Sequence, residues 1–288
     1  PMNAPHDPNP IFKAAMRIQW DAAAPGWDAH TAELRAWLAT PTAAMLAMAG
    51  VKAGSQVLDV AAGAGDQTLS AAERAGAGGR VFATDLSPAI VELGRARAAR
   101  DGVANVEFQV ADGEALPVAT GVFDAAICRL GLMFFPEPLR GLREMHRALR
   151  PGGGMCTMVF AGRERNPCVG ILMATALEHA GLPPMDPGTP GGLLSLGRPG
   201  QMDALCREAG FRDVATTAID APFRLRSVDH YLAFVRSSAS PILQILGRLD
   251  PAAAETAWAD MRERLRAFDS ADGWEGPNEL LLTAGRRA

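Results

Sequence analysis

Between residues 55 and 160 apolar and polar positions alternate in short bursts, which predict strands and helices taking turns. Gln56 to Val60 reads as a buried strand, and Asp66 to about Ala75 as the helix after it. Arg80 to Thr84 is a second strand ending at Asp85, and Pro88 opens a helix that runs to Arg100. Val106 to Val110 alternates with polar residues as a third strand, and Phe123 to Cys128 is a fourth. Leu139, Leu142, Met145, His146 and Leu149 recur at helical spacing until Pro151-Gly152-Gly153 ends the run. Met155 to Phe160 is a fifth strand. Outside this stretch the pattern changes. Residues 11 to 50 read as helical and carry Trp20, Trp27 and Trp37. Residues 167 to 180 form an apolar helix, followed by a Pro/Gly-rich loop from Leu182 to Gly200. Gln201 to Ala209 is a helix and Val214 to Ile219 a sixth strand. Residues 227 to 268 are mostly helical, and Glu279 to Ala284 reads as a final strand.

Composition narrows the class. The 288 residues suffice for one generous domain with a substantial core, and 48% hydrophobic with 21% charged residues is ordinary for a globular protein. Lys plus Arg total 28 against 32 for Asp plus Glu, so the net charge of -4 argues against a surface built to grip nucleic acid. The longest apolar run, Val169 to Leu177, is too short to cross a bilayer. Residues 1 to 10 lack a basic n-region and read as a loose arm, with Pro1 before Met2 as a cloning remnant. Cys128, Cys156, Cys168 and Cys206 form no C-x-x-C pair, which predicts reduced, buried thiols and a cytoplasmic protein.

The chemistry concentrates at strand ends. From Val57 to Gly65 the chain reads Val-Leu-Asp-Val-Ala-Ala-Gly-Ala-Gly, a strand running into small residues that let a ligand approach the backbone. Asp59, Asp85 and Asp112 are separated by 26 and 27 residues, which matches the repeat of a βα unit. That spacing sets three carboxylates along one rim of a parallel sheet, where open α/β sheets bind ligands.

These motifs together resemble the class I S-adenosylmethionine-dependent methyltransferases. The similarity is greatest to the group holding the ubiquinone/menaquinone C-methyltransferases and many small-molecule O- and C-methyltransferases. Val57 to Gly65 stands at the glycine motif, Phe82-Ala83-Thr84-Asp85-Leu86-Ser87 at the acidic end of the second strand, and Ala111-Asp112-Gly113-Glu114-Ala115-Leu116-Pro117 at the adenine motif. Phe123-Asp124 and Leu149-Arg150-Pro151-Gly152-Gly153 complete the series, which covers about residues 50 to 160. Ala61 departs from it, since many members have glycine there. The resemblance implies an α/β, Rossmann-like seven-stranded sheet of order 3-2-1-4-5-7-6, its last strand antiparallel, with helical cap insertions. Residues 1–50 are then an N-terminal helical lid, 51–162 the cofactor-binding core, and 163–288 the rest of the sheet with substrate-cap insertions, in a single domain overall.

The cofactor so implied is S-adenosylmethionine, leaving as S-adenosylhomocysteine. Asp85, followed by Leu86, would accept from the ribose hydroxyls, since a carboxylate is a natural bidentate acceptor. Asp112 would accept from the adenine amine, with Ala111 and Gly113 at the ring edge. Ala61, Gly63 and Gly65 would let the backbone close on the methionine and ribose portion, and Cys128 and Arg129 would lie at the amino-acid end. Asp59 would hold either the loop or the ammonium of the methionine moiety. For the acceptor, Trp20 and Trp27 on the lid and Met133 and Phe134 after the fourth strand are candidate walls. His30, His230 and Tyr231 are candidate bases, whereas His146 is expected to be structural. No metal is expected, because no histidine/carboxylate cluster has ligand spacing.

The reading is methyl transfer to a small, largely apolar metabolite at oxygen or carbon, by in-line displacement. Nucleic-acid and membrane partners are not expected, and homodimerisation is left open. Three alternatives stand beside it. An NAD(P)-dependent oxidoreductase would need a third glycine where Thr68 stands. A non-catalytic S-adenosylmethionine-binding protein would share the motifs. An RNA methyltransferase is disfavoured by the acidic balance.

Overall fold

In the computed structural model, which describes residues 9–186 and 188–288, two helices precede the sheet: α1 (Pro10–Ala29) and α2 (Thr31–Met48). Then come β1 (Gln56–Val60), α3 (Asp66–Ala75), β2 (Arg80–Asp85), α4 (Pro88–Arg100), β3 (Val106–Val110), β4 (Phe123–Arg129), α5 (Pro138–Ala148) and β5 (Leu149–Phe160). The remainder contributes α6 (Pro167–His179), α7 (Gln201–Glu208), β6 (Arg212–Asp220), β7 (Phe223–Leu225), α8 (Val228–Ser238), α9 (Ser240–Leu246) and α10 (Pro251–Leu265). Three further strands close the fold: β8 (Asp269–Ser270), β9 (Gly273–Gly276) and β10 (Glu279–Arg286).

The main sheet has the order β3-β2-β1-β4-β5-β10-β6. With β10 counted as the seventh strand, this is the order expected from the sequence. The first five strands are parallel, while β10 runs antiparallel to both β5 and β6. The chain leaves β1 for β2 and β3 on one side, then returns to β4 on the other. That reversal opens a crevice between the carboxyl ends of β1 and β4, the place where such sheets receive ligands.

Burial explains why these residues form strands. Val57, Leu58 and Val60 in β1 and Ala125, Ala126, Ile127 and Cys128 in β4 are fully enclosed, as continuous apolar runs in a doubly covered sheet should be. α4 begins where Ser87 accepts a hydrogen bond from Ile90 N–H, with Pro88 in the first turn. A second apolar core, built on Leu172, Tyr231, Leu232, Trp258, Met261 and Trp274, fills the cap formed by α6 and α8 to α10.

Two features differ from the sequence reading. Strand β5 starts at Leu149, inside the stretch expected to terminate α5. Leu149 pairs with Phe123, and the register slips before Gly154 pairs with Ala125, so Pro151 to Gly153 form an irregularity within a strand. The cap also contains a small sheet of order β7-β9-β8, whose strands flank the 227–268 stretch expected to be mostly helical. Its strands hold two to four residues each, too few to display a period. Among the described residues no helix is long and apolar enough to cross a membrane.

Candidate functional site

A cleft of about 1160 Å3 lies at the carboxyl ends of β1 to β4. Its floor is the glycine loop from Ala61 to Ala64, where Gly63 adopts φ +57 with open space on its Cβ side. A side chain there would be strained, and the bare backbone is free to face a ligand. The Gly63 N–H donates to Asp85 Oδ2 at 2.9 Å, and Ser87 N–H donates to Asp85 Oδ1 at 3.0 Å. Burial raises the Asp85 carboxyl above its usual range, against the pull of these backbone donors.

The opposite end of the floor is Ala111 to Glu114. A Cβ on Gly113 would sit 2.4 Å from the Phe135 ring, so only glycine lets that loop and ring meet. Asp112 Oδ1 accepts Glu114 N–H at 2.8 Å, and its Oδ2 lies 2.7 Å from Lys13 Nζ of α1. The same ammonium lies 2.7 Å from Glu114 Oε2. Burial raises the Glu114 carboxyl, and Lys13 and the Glu137 N–H offset part of that.

A third group sits where α3 begins. Asp66 receives Arg35 Nε at 3.0 Å, Arg129 at 2.9 Å and Arg97 at 3.4 Å. Burial alone would raise its carboxyl, but the guanidiniums of Arg129, Arg35 and Arg97 outweigh it and hold the group ionised below the usual range. Arg129 also donates to Thr42 Oγ1 at 2.8 Å. One end of the cleft is thus acidic and the other is dominated by guanidinium.

The upper walls are apolar. Trp20 and Met16 of α1, Leu34 and Leu38 of α2, and Phe134 and Phe135 face the cleft. Trp20 meets Phe134 edge-on with ring centroids 5.0 Å apart. α1 is tied down by Lys13 and also by Asp21, which accepts from Ser87 Oγ at 2.5 Å.

Of the residues singled out in the sequence, Ala61, Gly63, Asp85, Leu86, Ala111, Asp112, Gly113, Arg129, Trp20 and Phe134 line this cleft together. Others lie elsewhere, for identifiable reasons. Asp59 is fully enclosed beneath the loop, where it accepts Thr68 Oγ1 at 2.6 Å and Gln67 Nε2 at 3.3 Å. Of its two expected roles, this geometry fits holding the loop. Burial lifts its carboxyl to about 7, with Thr68 and Gln67 opposing. Gly65 faces inward: a Cβ there would lie 2.8 Å from the Phe108 ring, so this glycine serves packing of the loop. Cys128 is likewise buried beneath the crevice, its thiol pushed up to about 12 by burial and by the neighbouring Asp59. Met133 is fully buried in the main core rather than on the cleft wall. Trp27 lies on α1, and its side chain falls outside the described residues.

None of the three candidate bases reaches the cleft. Tyr231 stacks on Trp274 at 4.4 Å inside the cap core, where burial pushes its hydroxyl well above the usual range. His230 Nε2 lies 3.3 Å from Glu33 Oε1, and His30 Nδ1 lies 4.0 Å from Glu33 Oε2. Both imidazoles therefore pack around Glu33 at the corner between α1 and α2, with His30 also edge-on to Phe234. Sequence reasoning missed Lys13, Asp66, Arg35 and Arg97. Asp66 stood next to the glycine motif and was the one available signal. No group of three or more His, Cys, Asp or Glu side chains able to hold a metal occurs among the described residues.

The donor set fits S-adenosylmethionine. Asp85 and Asp112 are acceptors of the kind a ribose diol and an adenine amine require, an open glycine backbone lies between them, and the Arg129 guanidinium is a donor of the kind a carboxylate requires.

Residues 35–170 match the ubiE/COQ5 methyltransferase family. The Mycobacterium tuberculosis (H37Rv) protein Rv1405c is 41% identical over 109 residues, 38% of each chain. The ubiquinone/menaquinone biosynthesis C-methyltransferase UbiE of Marinomonas sp. is 35% identical over 120 residues, 41% of this chain and 48% of that one. The chain thus spans less than half the length of these curated relatives. Among solved structures, a putative methyltransferase from Bacillus halodurans superposes with TM-score 0.58 at 18% identity, over 86% of this chain and 99% of the other. That likeness is one of fold.

Proposed function

We propose that this protein, whose residues 35–170 match the ubiE/COQ5 methyltransferase family, transfers a methyl group from S-adenosylmethionine to a small, largely apolar acceptor at oxygen or carbon. When bound, S-adenosylmethionine supplies a sulfonium methyl that is already activated. The chain's own residues then have to hold, orient and exclude water. Asp85 would hold the ribose hydroxyls, Asp112 the adenine amine, and Arg129 beside Asp66 the carboxylate of the amino-acid end. Leu34, Leu38, Trp20 and Phe134 form a dry wall for the acceptor, and α1 is the lid above it. Alignment in such an enclosure can supply several kcal/mol, up to roughly 7–11 in ideal cases.

The observation that carries the acceptor class is what faces the cleft. Its titratable lining is Lys13, Asp66, Asp85, Arg97, Asp112, Glu114 and Arg129, and each of these charges already has a protein partner. No described histidine or tyrosine lines it. An acceptor that needs no strong protein base fits best: an acidic phenol, or an enolisable carbon that brings its own activation. The same geometry disfavours the oxidoreductase alternative, because Thr68 stands where its third glycine would fall and serves as the donor to Asp59.

The test is S-adenosylhomocysteine release from S-adenosylmethionine with two acceptor panels, one of phenols and enolisable carbonyls and one of aliphatic alcohols. Turnover is expected in the first panel. Turnover confined to the alcohols would overturn the acceptor class, and no turnover with either would favour a cofactor-binding role.

A further inference from the structure

Lys13 is a buried cation on a helix that covers the cleft, and it is shared between two carboxylates. Its Nζ lies 2.7 Å from Asp112 Oδ2 and 2.7 Å from Glu114 Oε2, across 99 residues of chain in the first case. The two carboxylates are not equivalent. The Glu114 side chain is 1% exposed and that of Asp112 is 28% exposed. A bare carboxylate is costly at Glu114 and tolerable at Asp112. Asp112 Oδ1 accepts the Glu114 N–H and Oδ2 the Lys13 ammonium, so both oxygens already carry a protein donor that an outside donor has to share or displace.

The residue type is also informative. Only two of the 28 basic side chains are lysine, Lys13 and Lys52; the rest are arginine. An ammonium is a compact charge with three rotatable donors, so it can release one acceptor and keep another without moving its stem. A planar guanidinium fork cannot do so as freely.

We propose that Lys13 is a gate on the adenine seat. Its ammonium holds both carboxylates while the seat is empty, and it withdraws to Glu114 alone when the exocyclic amine of the cofactor claims Asp112. This rests on Asp112 receiving that amine, as in the function proposed above. Two consequences follow. The amine contributes less to binding than a hydrogen bond to a carboxylate ordinarily does, because it displaces an existing donor. The lid helix α1 also loses its tie to Asp112 when the cofactor is seated, while Lys13 on Glu114 and Asp21 on Ser87 and Ala89 continue to hold it.

The experiment titrates S-adenosylhomocysteine, and its analogue with hydrogen in place of the 6-amino group, into wild type and Lys13→Met by calorimetry. Loss of the amine should weaken binding less than about threefold in wild type. In Lys13→Met it should weaken binding roughly tenfold or more, the worth of one hydrogen bond to a charged acceptor. Equal losses in the two proteins overturn the gate while leaving the cofactor assignment intact. Absence of binding by either ligand to wild type overturns both.

A second measurement needs no variant. Wild type carrying 13Cε-lysine gives two lysine signals, with Lys52 as the internal control. S-adenosylhomocysteine should move the Lys13 signal, and the amine-free analogue should leave it near its unliganded position. Equal displacement by both ligands overturns the proposal.

Discussion

Placing a methyl group on Gly131 tests how tightly the glycine loop is held against the end of β4. The backbone there, φ -113 and ψ -38, is open to any residue, so conformation is not the obstacle. The obstacle is steric, since an added Cβ would stand 2.4 Å from Ala61 Cβ. Ala61 cannot easily retreat, because it already sits at φ +55, where a non-glycine residue carries about 1–2 kcal/mol of strain. Overpacking at such a point costs about 1–3 kcal/mol. Gly131→Ala should therefore lower stability by that amount, or roughly 2–4 °C in Tm per kcal/mol. In an Ala61→Gly background the nearest of the remaining neighbours are Cys128 Sγ at 3.4 Å and the carbonyl oxygen of position 61 at 3.6 Å, which are ordinary contacts. The cost of Gly131→Ala there should fall below about 0.5 kcal/mol, a coupling of the size seen between touching residues. Urea unfolding of the four proteins, with unchanged m-values, measures this. An equal cost of Gly131→Ala in both backgrounds would refute the contact between these two positions as the cause.

Two further outcomes are expected. The Asp59 carboxyl titrates at about 7 in the fold against 3.8 for the unperturbed group. Between those values the folded form keeps a proton that the unfolded form has released, so stability falls as pH rises through that window. Asp59→Asn removes this contribution, and the drop in urea midpoint between pH 4 and pH 8 should shrink; an unaltered drop would sink the argument. Asp85→Ala should weaken S-adenosylhomocysteine binding at least tenfold in calorimetry, through loss of a charged acceptor, and an unchanged affinity would remove Asp85 from the site.

The legible parts of this protein were the local ones. β1, α3, α4 and β3 have the boundaries that their apolar spacing and caps predict, because a strand end, a Ser-Pro cap and a glycine turn are each written within a few residues. Asp85, Asp112 and Gly63 were found together because the βα repeat places successive strand ends on one rim. What sequence could not display is pairing at long range. Lys13 reaches Asp112, and Arg35, Arg97 and Arg129 meet at Asp66, from separate elements. Nothing in the pattern around Lys13 distinguishes it from a solvated helix residue. The misplaced bases have the same origin: histidine and tyrosine advertise chemistry, but the turn between α1 and α2 and the apolar face of α8 decide where they point.

The position of β10 has a consequence for how the sheet is assembled. β6 has no other neighbour in the main sheet, and β5 pairs with β4 on one side and with β10 on the other. Until residues 279–286 are available, β6 therefore has nothing to join, and β5 presents a bare edge. Joining of β6 to the main sheet depends on β10, which bridges it to β5. A ribosome-stalled chain lacking those eight residues would expose that edge to any passing strand, so it is the intermediate in which aggregation should begin.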